Sequence, residues 1–126
     1  MKALVIAGST GAGKTAVSLE LCSRVFPSVF EIISADSVQV YRGLDIGSGK
    51  LPVSGRCGVA HHLIDVVDPD FHFDVSAFCN RASLSVSEIE MRGRIPCFVG
   101  GTGLYIEGFF RGLSPVPEID PGVRET

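Results

Sequence analysis

Residues 8–15 constrain this chain more than any other feature of its sequence. They read Gly-Ser-Thr-Gly-Ala-Gly-Lys-Thr and satisfy the P-loop pattern G-x-x-x-x-G-K-[ST]. Apolar residues 3–7 come just before, as in a buried parallel strand. A helical repeat follows, with Val17, Leu21 and Val25 four residues apart. The order of strand, glycine-rich loop and helix is the context that a P-loop requires, so we predict a site for a di- or triphosphate.

The chemistry of the predicted site follows from its residue types. Glycines let the backbone turn tightly, so that successive N–H groups point into one concavity. Lys14 can reach terminal phosphate oxygens, and the Thr15 hydroxyl can hold Mg²⁺. The alternative is a simple glycine turn between strand and helix. The predicted phosphate-binding residues are Gly8, Ser9, Thr10, Gly11, Ala12, Gly13, Lys14 and Thr15.

Composition and charge bound the class of protein. The chain has 126 residues, 45% of them hydrophobic, and a mean hydropathy of +0.33, which indicates a globular domain. No apolar run is long enough to cross a bilayer, and residues 3–7 lead straight into the P-loop rather than forming a signal peptide. We therefore expect a soluble, cytoplasmic protein with no membrane partner. The net charge of −3 argues against a broad nucleic-acid surface within these residues.

The cysteines form no C-x-x-C pair, so we expect reduced thiols. Cys57, His61 and His62 could be considered as a metal site, but no fourth ligand has a matching spacing. The two histidines open a predicted strand, which favours a structural role for them.

Arg42 and Lys50 lie in a glycine-rich segment and are interpreted either as solvated charges or as phosphate contacts. The phenylalanines favour a core over an apolar ligand pocket: Phe71, Phe73, Phe78, Phe109 and Phe110.

Strands and helices alternate along the chain, which predicts an α/β fold with a parallel sheet. The helix after residue 74 should begin with Asp74 as its N-cap and end at Gly93. We expect an incomplete core like that of the P-loop containing nucleoside triphosphate hydrolases over residues 1–112. Residues 113–126 are expected to form an extended connector to a missing C-terminal part. The predicted strands cover residues 3–7, 31–35, 62–67 and 95–99, and a last helix covers residues 104–110.

Three segments each follow a predicted strand and should meet at the carboxyl edge of the sheet: the P-loop, Asp36, and the Gly-Gly-Thr turn that ends at Thr102. Asp36 could accept a proton, hold the water of a metal, or cap a helical turn that begins near Ser37. Gln39 offers a donor and an acceptor to a base edge. Strand 95–99 lacks the terminal Asp of ordinary NTPases. Asp65 could be that acid, but the sequence favours a strand-end residue that is satisfied by nearby backbone.

Several sequence blocks resemble the tRNA dimethylallyltransferase (IPP transferase) family. They are the P-loop, Ile-Ser-Ala-Asp-Ser-Val-Gln-Val-Tyr-Arg-Gly-Leu-Asp-Ile-Gly at 33–47, His-His-Leu-Ile-Asp at 61–65, Val-Gly-Gly-Thr-Gly-Leu-Tyr at 99–105 and Gly-Leu-Ser-Pro at 112–115. They cover essentially the whole chain in the right order. Departures are mild: Gly11-Ala12 where Ala-Ser is common, and Ser48-Gly49 where Thr-Ala is common.

The resemblance implies transfer of a dimethylallyl group from dimethylallyl diphosphate to N6 of the adenosine next to the anticodon of tRNA. The P-loop would then hold a diphosphate leaving group, with Lys14 neutralising its charge and Thr15 binding it directly or through Mg²⁺. Asp36 would be the general base. The implied catalytic residues are Asp36, Lys14, Thr15 and Thr102, and the implied tRNA contacts are Asp36, Ser37, Val38, Gln39, Thr102 and Arg124.

Members of this family are more than twice as long as the present chain and are expected to act as monomers. We therefore expect a fragment that lacks transferase activity alone and folds marginally. The alternatives are an adenylate isopentenyltransferase, an ATP-binding small-molecule kinase on the same core, and an inert product that only binds nucleotide. The Asp-Ser-x-Gln block and the Gly-Leu-Ser-Pro segment favour the tRNA enzyme over the adenylate enzyme.

Overall fold

A parallel α/β fold is present, as predicted. The structure, a computed structural model, describes residues 2–8, 13–43 and 50–112. Its strands within these ranges are β1 (Leu4–Ala7), β2 (Phe30–Ser34), β3 (His61–His62) and β4 (Ile95–Gly100). The α-helices in the same ranges are α1 (Lys14–Glu20), α2 (Val75–Met91) and α3 (Gly103–Gly112). None of the helices among the described residues combines the length and apolar character needed to span a bilayer.

The strand order explains how distant segments become neighbours. The described strands form one sheet in the order β1-β4-β2-β3, and every neighbouring pair is parallel. Strand β4 lies between β1 and β2, with Cys97 opposite both Leu4 and Ile32. Because the strands are parallel, the segments that follow β1, β2 and β4 all leave the same edge of the sheet. This edge is called the carboxyl edge below.

Helix α1 begins where the P-loop pattern ends, which confirms the helix predicted after the loop. It continues as a π-helical turn over Leu21–Val25. Val17 and Val25 are about half exposed, at 50% and 52%, whereas Ser18 and Cys22 are buried. The buried side therefore follows the i, i+4 pair of Ser18 and Cys22 rather than the repeat of Val17 and Val25.

Helix α2 agrees closely with its prediction. The Asp74 side chain accepts a hydrogen bond from the backbone N–H of Ala77 at 2.9 Å, which makes it the expected N-cap. The chain leaves the helix through Gly93, whose φ of +74° is a left-handed conformation that glycine adopts without strain. Its buried apolar face consists of Phe78, Ala82, Val86 and Ile89.

The third strand is much shorter than predicted. Strand β3 stops at His62, and the next residues turn, with positive φ at Leu63 and Asp65. The backbone N–H of Val66 then donates to the Val40 carbonyl at 2.9 Å, and Arg42 N–H donates to Val67 O at 2.9 Å. The segment thus pairs with the turn after β2 rather than continuing beside β2, which an apolar run alone cannot reveal.

The larger core cluster packs α2 and α3 against one face of the sheet. Phe78, Phe98 and Phe109 are at most 2% exposed, and the Phe98 and Phe109 rings lie 5.1 Å apart. Phe73 is also buried, and Phe110 packs against the cluster, which confirms their prediction as core residues. Phe71 is 47% exposed, so its prediction as a core residue is wrong.

Candidate active site at the carboxyl edge of the sheet

The P-loop half of the site is described at its two ends. Gly8 follows β1 directly, and Gly13 precedes α1 with φ +79°, a conformation that favours glycine. Lys14 is half-buried and Thr15 is exposed at the start of α1. The predicted contacts at Ser9, Thr10, Gly11 and Ala12 lie outside the described residues. Both ends of the loop are therefore at the carboxyl edge, where its pattern predicts a phosphate site.

Asp36 lies two residues beyond the end of β2 and holds the turn that follows it. Its Oδ1 accepts hydrogen bonds from the backbone N–H groups of Val38, at 2.8 Å, and Gln39, at 3.1 Å. The capping role that the sequence left open is therefore present. Among the described residues, both of the hydrogen bonds to this carboxylate are accepted by Oδ1, and Oδ2 is chemically able to accept a proton. Capping and proton transfer are thus compatible at one side chain.

Thr102 supports the same turn from the loop after β4. Its Oγ1 accepts a hydrogen bond from the Ser37 N–H at 3.2 Å, and its own N–H donates to the Ala35 carbonyl at 3.2 Å. The N–H groups of residues 37, 38 and 39 are therefore held by Thr102 and Asp36 together. This brings together the predicted site residues Asp36, Ser37, Val38, Gln39 and Thr102 as one unit. Arg124 lies outside the described residues.

The Gln39 side chain is also anchored, by a residue that sequence reasoning did not single out. Ser34 is buried at the end of β2, and its hydroxyl donates to Gln39 Oε1 at 2.9 Å. Sequence reasoning also missed two contacts made by tyrosines, Tyr41 in the block at 33–47 and Tyr105 in the block at 99–105. Tyr41 Oη donates to the Phe71 carbonyl at 2.9 Å, and Tyr105 Oη donates to the Phe73 carbonyl at 3.0 Å. The position of both tyrosines within motifs was the available signal.

Lys50 is neither a solvated charge nor exposed toward a phosphate. Its side chain is only 5% exposed, and its ammonium group donates to the Tyr41 carbonyl and to the Asp65 carboxylate. Asp65 is therefore paired with a lysine side chain, rather than with nearby backbone as the sequence favoured. Arg42 pairs with Asp68 at 2.8 Å and is 54% exposed. The lysine thus braces the segment after β3 against the turn after β2.

A buried ionic cluster lies at the opposite, amino edge of the sheet. Glu31 is 1% exposed and accepts two hydrogen bonds from Arg92, both 2.7 Å long. Its Oε1 also lies 2.7 Å from His62 Nε2. Its Oε2 lies 3.7 Å from Arg94 Nη1. Hydrogen bonding from Arg92, aided by His62, outweighs the desolvation caused by burial and lowers the pKa of Glu31 to about 2. Sequence reasoning missed this cluster because its members are far apart in the chain.

The histidines have structural partners, in agreement with their predicted role. His62 contacts Glu31, and His61 Nδ1 lies 2.9 Å from the Val59 carbonyl oxygen. Burial is the main cause of a lowered pKa at His61. Within the described ranges, no group of three or more His, Cys, Asp or Glu side chains could hold a metal ion. The four cysteines are free thiols: Cys22, Cys57, Cys79 and Cys97.

Comparisons with known proteins identify relatives of this chain. The IPP transferase family model matches residues 39–126, and the isopentenyl transferase family model matches residues 1–57. A tRNA dimethylallyltransferase from Desulfotalea psychrophila is 46% identical over 122 residues, which is 97% of this chain and 38% of the relative. The chain therefore spans little more than a third of that relative's length.

Solved structures give the same result. The full-length tRNA isopentenylpyrophosphate transferase of Bacillus halodurans superposes with a TM-score of 0.81 at 42% identity, over 96% of this chain and 39% of that protein. A eukaryotic dimethylallyltransferase described as acting on tRNA superposes with a TM-score of 0.79 at 34% identity, over 95% of this chain and 28% of that protein.

The parallel sheet, the P-loop pattern after β1 and the residues gathered at the carboxyl edge define a protein with a P-loop NTPase-like fold. The IPP transferase family model that matches residues 39–126 is more specific than the fold class, and its matched range includes Thr102. The chain belongs to the IPP transferase family.

Proposed function

We propose that this chain forms the diphosphate-binding and proton-accepting part of a tRNA dimethylallyltransferase. The observation that carries the proposal is the joint support of residues 37–39 by Asp36 and Thr102, at the same sheet edge as the P-loop. An ordinary NTPase needs its acid after β4 to handle Mg²⁺. Here β4 ends at Gly100 and leads into Gly101 and Thr102, and the carboxylate follows β2 instead.

The proposed reaction assigns one task to the P-loop and another to the turn that follows β2. N6 of the acceptor adenosine bonds to C1 of the dimethylallyl group while the bond from C1 to the diphosphate oxygen breaks. Lys14 neutralises charge that develops on the diphosphate. Asp36 receives the N6 proton through Oδ2, while Oδ1 remains bonded to the turn.

A Mg²⁺ ion fits this arrangement as a companion of the diphosphate. Magnesium prefers oxygen ligands and is commonly held by one or two protein groups together with substrate phosphates. Thr15 offers an exposed hydroxyl at the start of α1, and a complete protein cage is not found among the described residues. When bound, the ion would supply positive charge to the diphosphate leaving group, and Thr15 would orient it.

The tRNA contacts are proposed at the turn that Asp36 and Thr102 stabilise. Residues 37 and 38 are exposed there, so backbone and side-chain groups of the turn are accessible to an extruded adenosine. Arg124 is proposed as a further contact. The net charge of −3 supports the idea that the main tRNA-binding surface belongs to other parts of the family's longer proteins. Such a tRNA-modifying protein would work in the cytoplasm as a monomer.

Diphosphate binding can be tested with the chain itself. Calorimetric titration with inorganic diphosphate and Mg²⁺ should detect binding that Lys14→Ala weakens by about tenfold or more. Lys2→Ala is the matched control, because it removes an exposed lysine from the residues before β1. Equal affinity of the Lys14→Ala and Lys2→Ala variants would contradict the assignment of the P-loop.

Transfer can be tested in a chimera in which this chain replaces the matching 39% of the Bacillus halodurans protein. With tRNA and dimethylallyl diphosphate, mass spectrometry of digested tRNA should show isopentenyladenosine. Asp36→Asn retains an oxygen that can cap the turn but removes the base, so the rate should fall by about 10²–10⁴-fold. Asp74→Asn, at the N-cap of α2, is the matched control. Product formed only with AMP as acceptor would indicate the adenylate enzyme instead.

A further inference from the structure

A cavity of about 370 Å³ lies beside the turn after β2, where the acceptor adenosine is proposed to bind. Its lining includes Arg42, which follows that turn, together with Phe71 and Arg81 of α2. The Arg42 N–H donates to the Val67 carbonyl at 2.9 Å, so the wall of the cavity is hydrogen-bonded to the segment that contains the turn. Its volume is within the range of sites for small organic molecules. The proposed function assigns this cavity no role.

Phe71 presents an exposed aromatic ring on a backbone that is held in place. The residue is 47% exposed. Its carbonyl accepts a hydrogen bond from Tyr41 Oη at 2.9 Å, and its N–H donates to Asp68 O at 3.0 Å. A ligand that stacks on this ring would remove apolar surface from water, and little order would have to be created in the backbone that carries the ring.

The charged side chains of the cavity fall into two groups. Arg42 is bonded within the protein, because its guanidinium donates to Asp68 at 2.8 Å and to the Val66 carbonyl at 3.1 Å. Asp70 and Arg81 also line the cavity, and among the described residues neither side chain forms a hydrogen bond or an ion pair. A ligand in the cavity therefore meets one guanidinium and one carboxylate that are available for new hydrogen bonds.

The available groups match the parts of a nucleotide. An aromatic ring stacks on a base, a guanidinium pairs with phosphate oxygens, and a carboxylate accepts hydrogen bonds from ribose hydroxyls or base amino groups. A bare phosphate would not use Phe71 and would be repelled by the like charge of Asp70. An acyl chain would bury Asp70 and Arg81 without hydrogen-bond partners. A nucleotide uses all three side chains.

We propose that the cavity binds a nucleotide adjacent to the acceptor adenosine in the same RNA strand, with its base on Phe71 and its phosphate at Arg81. This placement rests on the proposed function, in which an extruded adenosine lies at the turn after β2. Nucleotides in RNA loops are recognised through stacking on aromatic side chains and through their base edges. The ionic side chains of the cavity, Arg42, Asp68, Asp70 and Arg81, have no net charge, so stacking supplies most of the affinity.

The test is a titration of the isotope-labelled chain, followed by nuclear magnetic resonance. Inorganic diphosphate and Mg²⁺ are present throughout, so that the P-loop is occupied. The trinucleotide ApApA should shift the Phe71 backbone amide and the Arg81 Nε–H signal, with half-saturation on the order of 1 mM, and should also shift the amides of residues 37–39. AMP should shift the Phe71 and Arg81 signals with about fivefold weaker affinity, because one mononucleotide cannot occupy the turn and the cavity together.

Substitutions identify the groups that bind the trinucleotide. Phe71→Ala should weaken ApApA binding about tenfold, and Arg81→Gln about threefold. Phe26→Ala is the matched control for the ring, because Phe26 is also 47% exposed but lies at the end of the π-helical turn that extends α1. Arg24→Gln is the control for an exposed arginine. Both controls should retain the affinity for ApApA within about twofold.

Four results would overturn the proposal. They are unchanged Phe71 and Arg81 signals at about 10 mM ApApA, equal half-saturation by AMP and ApApA, the same shifts with inorganic phosphate alone, and loss of affinity in Phe26→Ala equal to that in Phe71→Ala. Equal affinities would indicate a site for free mononucleotides, and the phosphate result would indicate a simple anion site. If a variant fails to fold, the titrations of the unaltered chain decide by themselves.

The same spectra separate this proposal from the proposed function. Diphosphate binding at the P-loop is followed through the Gly13 amide, and the acceptor turn through residues 37–39. Shifts at residues 37–39 without shifts at Phe71 would leave the proposed function in place and would overturn the nucleotide site in the cavity.

Discussion

The carbonyl oxygen of Ala35 occupies the space that a side chain at Gly100 would need. A Cβ atom built on Gly100 would lie 2.1 Å from that oxygen, well inside van der Waals contact. The same oxygen accepts the Thr102 N–H at 3.2 Å, and the Ala35 N–H donates to Val99 O at 2.8 Å. The ends of β2 and β4 are therefore in close backbone contact, and this contact sets the position of Asp36 relative to Thr102.

Gly100→Ala should destabilise the chain by about 3 kcal/mol, because the obstructing atom is backbone and can move only with the strand. Gly103→Ala is the matched control, since a Cβ there meets no atom within 4 Å and the residue begins α3. That control should change the free energy of unfolding by less than about 1 kcal/mol. Urea denaturation measures both, and equal effects would contradict the close approach.

Thr102→Val should weaken the turn after β2 because it removes the acceptor for the Ser37 N–H while nearly preserving side-chain shape. We expect a loss of about 1 kcal/mol in stability, and about 10²-fold slower transfer in the chimera as Asp36 loses its position. Thr102→Ser keeps the hydroxyl and should retain most of the rate. A serine variant as slow as the valine variant would show that the methyl group, rather than the hydrogen bond, is what matters.

Glu31→Gln should reveal a pH-dependent contribution from the amino-edge cluster. The pKa of Glu31 is lowered from 4.5 to about 2, chiefly by Arg92, so the carboxylate stabilises the fold above pH 4.5. This stabilisation is about 3 kcal/mol at pH 7 and is lost as the pH falls toward 2. The difference between the unaltered chain and Glu31→Gln should therefore shrink between pH 5 and pH 2, as measured by chemical denaturation. The exposed Glu90→Gln control should show no such dependence.

Lys50→Met should lower stability without altering diphosphate affinity. Its buried ammonium group bonds to Tyr41 O and to the Asp65 carboxylate, so its loss should cost about 1–3 kcal/mol. In the folded variant, calorimetric affinity for diphosphate with Mg²⁺ should remain within about twofold. A large loss of affinity, comparable with that of Lys14→Ala, would instead make Lys50 a phosphate contact.

Local signals predicted much of the fold. The apolar run before the P-loop, the Asp74 cap and the Gly93 helix end were all correct because each depends on residues close together in the chain. The apolar run after His62 was misinterpreted, because its backbone hydrogen bonds are made with Val40 and Arg42, which lie more than twenty positions earlier in the chain. The spacing of apolar residues alone does not predict that pairing.

The sequence by itself determined the phosphate-binding pattern, the α/β class and the carboxylate and threonine that follow β2 and β4. Only the tertiary structure decided that Asp36 and Thr102 between them hold the N–H groups of residues 37, 38 and 39, that Ser34 fixes Gln39, and that Glu31 is neutralised by Arg92. Motifs are local and can be read from spacing. Contacts across a sheet depend on strand order and register, which arise when the whole chain buries its apolar surface.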